Sequence, residues 1–171
     1  MIEDLLTLTR ISRIKNPYED VAIKDLIQGI IDRLEFDVKK FNVVFQIADK
    51  MPTIRCDRIK FAEVFYNLIN NAIKFSSKNN QNSRIDIGYR ERDSDHEFYV
   101  KDNGIGIDPA DYDKIFDMFK RGSDVDAYEG TGAGLSIVKD VMEDHGGQIW
   151  VESRKGQGAC FYLTIPKIKK M

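Results

Sequence analysis

The chain has 171 residues, and its 26 Lys and Arg nearly balance 28 Asp and Glu, for a formal net charge of −2. With 42% hydrophobic residues, this composition predicts a single globular domain with its own core and excludes a disordered or collagen-like chain. The balanced charge also argues against broad electrostatic capture of nucleic acid or of an anionic membrane.

The two cysteines and the amino-terminal sequence indicate the cellular compartment in which the domain is expected. Cys56 and Cys160 have no CxxC spacing and no nearby histidine cluster, so neither a zinc site nor a disulfide framework is indicated. No apolar run approaches the length of a membrane span, and the acidic start is unlike a signal peptide. We therefore expect a cytoplasmic domain, whose parent protein could be membrane-anchored.

The first third of the chain alternates helical and extended patterns. Apolar residues at three- and four-residue spacing predict an amphipathic helix over residues 2–14, which Asn16-Pro17 would stop. So short a helix is marginal alone, and we expect it to be the end of a larger element. An extended segment at 20–23, a helix at 25–41, a strand at 43–47 and a short extended segment at 54–56 follow. The helix at 25–41 would bury Leu26, Ile30, Leu34, Phe36 and Val38.

The remaining elements predict the fold class. A helix at 57–76, with Asp57 as its cap, precedes strands at 86–92 and 97–101 around a turn at 93–95. A helix at 133–144 ends at Gly146-Gly147, and strands at 148–153 and 159–165 flank a turn at 155–158. Because the closing strands form hairpins, we predict an α/β (α+β) sandwich with a mixed, largely antiparallel sheet and helices on one face. Residues 108–129 carry only a short helical signal at 111–116 and are interpreted as a lid.

The helix at 57–76 has two different stripes. Its apolar stripe consists of Phe61, Phe65, Leu68, Ala72 and Phe75, and its polar stripe of Glu63, Asn67, Asn70, Asn71 and Lys74. Three asparagines within five residues are unfavourable in a helix. Asn67 and Asn71 lie one turn apart, so their amide oxygens could hold a hard cation, such as Mg²⁺ carried on a nucleotide. A solvated polar face is the alternative interpretation.

Two glycine-containing segments suggest contacts with a ligand. Residues 102–107 follow a predicted strand, and Asp102 at its end could accept a hydrogen bond from an exocyclic amine such as that of adenine; an ordinary turn is the alternative. Residues 130–136 open directly into a helix, whose free amides and dipole favour phosphate. The latter segment is not a Walker A loop, and a Rossmann site is poorly supported.

These segments, in this order, resemble the catalytic and ATP-binding domain of sensor histidine kinases. Residues 63–76 resemble its N box, 102–107 its first glycine box, 115–121 its F box and 130–135 its second glycine box. That domain has the Bergerat fold, shared with the ATPases of gyrase, heat-shock chaperones and mismatch-repair proteins. The resemblance implies a catalytic domain at 17–171 with an ATP lid at about 108–130. It also implies that residues 1–16 are the end of a dimerisation and phosphotransfer helix.

The resemblance further implies a site for ATP and Mg²⁺. Asn71 would be the metal ligand with Asn67 beside it, Lys74 would lie near the phosphates, and Arg121 would reach the terminal phosphate from the lid. Asn67, Lys74 and Arg121 thus form the implied catalytic set, while Asp102 would bind the adenine amine. The implied nucleotide-binding residues are Asn67, Asn71, Lys74, Phe75, Asp102, Gly104, Gly106, Ile107, Phe116, Phe119, Arg121, Gly130, Thr131, Gly132, Ala133, Gly134 and Leu135. The family commonly has Leu where this chain has Ala133, which implies a smaller contact between lid and pocket.

The residues favour phosphoryl transfer over hydrolysis. Hydrolytic relatives place a water-activating glutamate where this chain has Asn67, an amide that cannot act as a base. His96 is predicted to be a surface residue of a hairpin turn and His145 to be an imidazolium at a helix end, so neither is the expected phosphoacceptor. The resemblance implies transfer of the γ-phosphate to a histidine on a separate dimerisation domain and onward to a response-regulator aspartate, with no autophosphorylation by this chain alone. A non-catalytic nucleotide-gated interaction module and an anti-sigma-type serine kinase are the alternatives.

Overall fold

A computed structural model describes residues 6, 14–76, 82–117 and 132–168 of the protein. The strands are β1 (Glu19–Ala22), β2 (Val44–Ile47), β3 (Thr53–Cys56), β4 (Arg84–Glu91), β5 (Asp95–Asp102), β6 (Gln148–Ser153) and β7 (Ala159–Pro166). The α-helices are α1 (Ile23–Arg33), α2 (Glu35–Lys40), α3 (Arg58–Ser76) and α4 (Gly134–Asp144), and short 3₁₀ helices span Pro109–Asp111 and Lys114–Phe116. Apart from Leu6 and Ile14, the helix predicted at 2–14 lies outside the described residues, as does most of the predicted lid. No helix within the described ranges has both the length and the apolar character needed to cross a membrane.

The main sheet has five strands in the order β2-β4-β5-β7-β6. β2 pairs with β4 in parallel, and every other pair in this sheet is antiparallel. β1 and β3 form a separate antiparallel pair. The predicted mixed, largely antiparallel α/β architecture is therefore confirmed.

One face of the sheet carries the core. Side chains alternate along β7, where Phe161, Leu163 and Ile165 are buried, as a strand with one covered face requires. Helix α3 contacts α1, α4 and β5, and Phe65 meets Phe98 edge-to-face with ring centroids 5.8 Å apart. Each such fully buried aromatic contributes about 1.5–3 kcal/mol to folding. Helix α3 is therefore the central helix of the domain, with α1 and α4 packed on it and β5 beneath it.

The single helix predicted at 25–41 is wrong, because the structure contains two helices that meet at Leu34. Leu34 has φ −95° and ψ 12°, and its amide is shared between the carbonyls of Ile30 and Ile31. The break rotates the next turn relative to α1. Phe36, predicted to be buried, is consequently 77% exposed, whereas Val38 packs against the core.

The predicted cap of α3 is confirmed. Asp57 Oδ1 accepts hydrogen bonds from the amides of Ile59 and Lys60, both at 3.1 Å. Its two oxygens also accept from Asn16 Nδ2 at 3.1 and 3.0 Å. This carboxylate, only 1% exposed, therefore joins the start of α3 to the segment that precedes β1.

Both histidines differ from their predicted states. His96 lies in β5 rather than in a turn, is half-buried, and its Nδ1 is 2.9 Å from the Tyr89 hydroxyl. His145 ends α4 as predicted, but burial lowers its pKa, so the ring is neutral at pH 7 rather than an imidazolium. Its Nδ1 donates to the Val141 carbonyl at 2.8 Å, and its Nε2 accepts from the Asp57 amide at 3.4 Å.

Both cysteines are buried free thiols. Burial is the main reason that the pKa of Cys56 is raised to about 12, and it raises the pKa of Cys160 as well. The thiolate, which is the reactive form, is therefore disfavoured at both positions.

Candidate functional site

The polar side of α3 faces the amino end of α4. Asn67 Nδ2 donates to the Glu63 carbonyl one turn earlier at 2.8 Å, and this bond orients the amide. Asn67 Oδ1 then lies only 2.7 Å from the place that a Cβ on Gly134 would occupy. A side chain at position 134 would therefore displace the Asn67 amide from this orientation. Asn71, one turn beyond Asn67, is likewise half-buried on α3.

The amino end of α4 can bind an anion. The first amide to donate within this helix is that of Ile137, to the Ala133 carbonyl at 3.1 Å, so the earlier amides have no acceptor inside the helix. Gly132 has φ +74°, a conformation that glycine adopts without strain. Leu135 is half-buried in the first turn. Free amides and the helix dipole together favour phosphate here.

The turn at residues 103–107 packs on the other end of α3. The amide of Ile105 donates to the Phe75 carbonyl at 3.3 Å, and a Cβ on Gly104 would lie 2.3 Å from the same oxygen. Lys74 Nζ lies 5.2 Å from the centroid of the Phe75 ring. The structure therefore brings together the end of the predicted N box and the predicted first glycine box.

Asp102, at the end of β5, is a buried hydrogen-bond acceptor. The residue is 5% exposed, and its Oδ1 accepts from the amides of Gly104 at 2.8 Å and Ala159 at 3.4 Å. Within the described residues, Oδ2 accepts no hydrogen bond and is available to a ligand. Burial raises the pKa of Asp102 to about 6, an effect that the two amide bonds partly oppose. The carboxylate is thus mostly ionised at pH 7 and is suited to accept a bond from an exocyclic amine.

A second turn, at residues 154–158, completes this end of the site. The Gly156 amide donates to the Ile105 carbonyl at 2.6 Å. Gly106 has φ +71°, and a Cβ on it would lie 2.0 Å from the Arg154 carbonyl oxygen. Gly158 has φ +79°, and a Cβ on it would lie equally close to the Asp102 carbonyl oxygen. From its sequence this turn was expected only to join two strands of a hairpin, although its two glycines in three residues were a signal of close backbone contact.

The start of the predicted lid is attached to the edge of the sheet. Phe116 meets Phe161 of β7 edge-to-face, with ring centroids 6.3 Å apart, and the Ile107 amide donates to Ser153 Oγ at 2.8 Å. Phe116 is therefore placed by the core. Four further site residues of the sequence analysis lie outside the described residues: Phe119, Arg121, Gly130 and Thr131.

The residues fit a nucleotide carried with a hard cation. A buried carboxylate with a free oxygen suits the amino group of a purine, and the amino end of α4 suits phosphate. Asn67 and Asn71 offer neutral amide oxygens, which are ligands that Mg²⁺ accepts. Helix α3 connects the two ends, because Asn67 and Phe75 are eight residues, or about 12 Å, apart along it.

Comparison with known proteins identifies the family of the chain. The family described as histidine kinase-, DNA gyrase B- and HSP90-like ATPases matches residues 56–169. The chain is 40% identical over 170 residues to cyanobacterial phytochrome B of Nostoc sp., covering 98% of this chain and 22% of that protein. It is 34% identical over 166 residues to the methanogenesis regulatory histidine kinase FilI of Methanothrix harundinacea, covering 97% of this chain and 18% of that protein. The chain thus spans about a fifth of the length of these curated relatives.

A solved structure shows the same fold. The nucleotide-free catalytic domain of the histidine kinase ThkA is similar with a TM-score of 0.75 and 30% sequence identity, over 89% of this chain and 99% of that one. The family match at residues 56–169 includes α3, α4 and β4 to β7, which are the elements that build the site. The chain therefore belongs to the histidine kinase-, gyrase B- and HSP90-like ATPase family, as the ATP-binding catalytic domain of a sensor histidine kinase.

Proposed function

We propose that this domain binds ATP with Mg²⁺ and donates the γ-phosphate to a histidine on a dimerisation domain. The observation that carries the proposal is the arrangement around α3. One end of the helix touches the turn beside Asp102, and its middle faces the amino end of α4. A single rigid element thus sets the separation between a purine acceptor and a phosphate site.

Asn71 is the proposed ligand of Mg²⁺, with Asn67 beside it. When bound, the ion supplies neutralisation of charge on the phosphates. Lys74 and Arg121 would add positive charge near the terminal phosphate, and the amides at the start of α4 would hold the phosphate tail. Phosphoryl transfer asks a protein mainly for such positioning and charge stabilisation.

Transfer to another group is favoured over hydrolysis. The Asn67 side chain is a carboxamide, which is not basic at neutral pH, so it cannot take a proton from water. Its Nδ2 donates to the Glu63 carbonyl. Both ring nitrogens of His145 are engaged by backbone groups, and Nδ1 of His96 contacts Tyr89. Because these are the two histidines of the chain, the acceptor is proposed to lie on another domain.

The partners follow from the same proposal. We assign residues 1–16 to the end of a dimerisation helix and residues 17–171 to the catalytic domain, in the cytoplasm. The histidine-bound phosphate would pass to an aspartate of a response-regulator receiver domain. ThkA has been solved in complex with a response regulator protein, TrrA, which supports a partner of this kind.

The test is phosphotransfer in trans. The chain is mixed with a matching histidine-containing helical domain and radiolabelled Mg-ATP, with Asn71→Ala as the control for metal-dependent binding. Acid-labile phosphohistidine on the partner is expected with the parent chain and strongly reduced with the variant. ATP binding by the parent without any phosphohistidine would contradict the proposal. Acid-stable phosphoserine on a partner would favour the anti-sigma-type alternative.

A further inference from the structure

The hydroxyl of Tyr112 holds both backbone groups of one residue at the edge of the main sheet. It accepts a hydrogen bond from the Ser153 amide at 3.0 Å and donates one to the Ser153 carbonyl. Strand β6 is the last strand of the sheet, and these two groups point away from its partner β7, so no strand of the described residues pairs with them. A phenylalanine at 112 would leave both groups without this partner.

The side chain of the same serine continues the network toward the site. Ser153 Oγ accepts from the Ile107 amide at 2.8 Å and donates to the Gly158 carbonyl at 2.7 Å. One serine thus connects the end of the turn at 103–107 with the turn at 154–158. Its backbone is held by a residue from the start of the lid.

Both of these turns position Asp102. Gly158 is packed so closely on the Asp102 carbonyl that a Cβ on it would lie 2.0 Å from that oxygen. The next residue, Ala159, donates its amide to Asp102 Oδ1, and Gly104 donates to the same oxygen. These bonds leave Oδ2 as the oxygen available to a ligand. The orientation of the carboxylate therefore depends on the turns that Ser153 connects.

We propose that Tyr112 is a positioning residue for nucleotide recognition, whose hydroxyl fixes the start of the lid to Ser153 and thereby holds the turns that aim Asp102 at the purine amine. This inference rests on the proposed function, since it names a determinant of adenine selectivity in the same site. It differs from a purely structural role of Tyr112, which would affect stability but not the preference between nucleotides.

The test compares Tyr112→Phe with Tyr89→Phe. Tyr89 is also a half-buried tyrosine whose hydroxyl is bonded, at 2.9 Å to His96 Nδ1, but it lies in β4 and contacts none of the turns described above. Calorimetric titration with Mg-ATP and Mg-GTP gives the two dissociation constants for each variant, and thermal unfolding gives Tm. We expect Tyr112→Phe to weaken ATP binding about 3- to 10-fold, which corresponds to the loss of about one net hydrogen bond. The ratio of ATP affinity to GTP affinity should also decrease. Tyr89→Phe should leave the preference unchanged.

A second pair of variants keeps the test decisive if Tyr112→Phe does not fold. Ser153→Ala removes only the two hydrogen bonds of Oγ and should reduce the preference for ATP over GTP by a similar factor. Ser153→Thr retains a hydroxyl and should keep the preference of the parent. A parent-like ATP-to-GTP preference in both Tyr112→Phe and Ser153→Ala would overturn the inference, as would a loss of Tm without any change in preference. If the parent chain itself binds neither nucleotide, the proposed function fails and this inference fails with it. If the parent binds ATP and the variants discriminate as it does, only the role of Tyr112 is lost.

Discussion

Replacement of Asp102 by asparagine is the sharpest perturbation of the proposed site, because it preserves the shape of the side chain and changes its hydrogen-bonding capacity. The amide oxygen of asparagine can still accept the bonds that Gly104 and Ala159 now donate to Oδ1. The amide nitrogen would then occupy the place of Oδ2. A purine amine would face a donor where it needs an acceptor.

The expected magnitude follows from the type of bond that is lost. A hydrogen bond to a charged group is worth about 1.5–3 kcal/mol, which corresponds to an increase of about 10- to 150-fold in the dissociation constant for ATP. GTP presents an oxygen at the equivalent position and should gain rather than lose from the amide. Because Asp102 is 5% exposed, little solvent screening reduces these effects.

Calorimetric titrations of ATP and GTP, with and without Mg²⁺, measure this change. Asp57→Asn is the matched control, since Asp57 is also a buried carboxylate that accepts backbone amides, but at the opposite end of α3. Its nucleotide affinities should stay close to those of the parent. Equal binding of ATP and GTP by the parent, or unchanged ATP binding by Asp102→Asn, would refute the assigned role of Asp102.

Three further predictions concern pH, steric contact and capping. Burial raises the pKa of Asp102 to about 6, and binding needs the ionised form, so ATP affinity should fall as pH drops from 7.5 through 6; titrations across this range measure the loss. Gly158→Ala places a Cβ 2.0 Å from a backbone oxygen, whereas Gly156→Ala, at a similar φ of +80°, meets nothing within 4 Å. Denaturant unfolding should therefore show a cost of about 1–2 kcal/mol for Gly156→Ala and about 1–3 kcal/mol more for Gly158→Ala. Asp57→Ala removes the cap of α3 and should lower the free energy of unfolding by about 1 kcal/mol or more, while Asp57→Ser, which keeps an acceptor, should lose less.

Each of these predictions has an outcome that contradicts it. The titration of the nucleotide phosphates is common to the parent and to Asp102→Asn, so identical pH profiles for the two proteins would exclude a contribution from Asp102. Equal stabilities of Gly158→Ala and Gly156→Ala would mean that the two turns do not pack as described. An Asp57→Ser variant no more stable than Asp57→Ala would show that capping is not the main contribution of Asp57.

Local sequence signals were sufficient to predict most of the helices and strands of the fold. Strand β6 was predicted with its observed bounds, and α3 and α4 began within one residue of the prediction, because a cap or a glycine marks these ends. The break at Leu34 has no comparable signal, since neither glycine nor proline lies near it. Leu34 would be buried whether the helix is continuous or broken, so the apolar spacing of the sequence does not mark the break. The exposure of Phe36 in the structure shows the change of direction.

The candidate site was predictable where its chemistry is local and not where it depends on distant contacts. Asp102 and Gly104 are only two residues apart, so a strand end followed by glycine was sufficient to predict the turn beside Asp102. The bond between Tyr112 and Ser153 joins residues 41 positions apart, and nothing in either segment indicates the other. The same is true of Gly158, whose need for a small residue arises from the backbone of Asp102.

The two buried thiols make this domain convenient for site-specific labelling. Cys56 and Cys160 have raised pKa values, so neither should react readily with maleimide at neutral pH. An engineered cysteine at the exposed position Asp113, one residue after Tyr112, would then be the principal attachment point for a fluorophore. Such a probe would report movement at the root of the lid when nucleotide is added, without prior removal of the native cysteines.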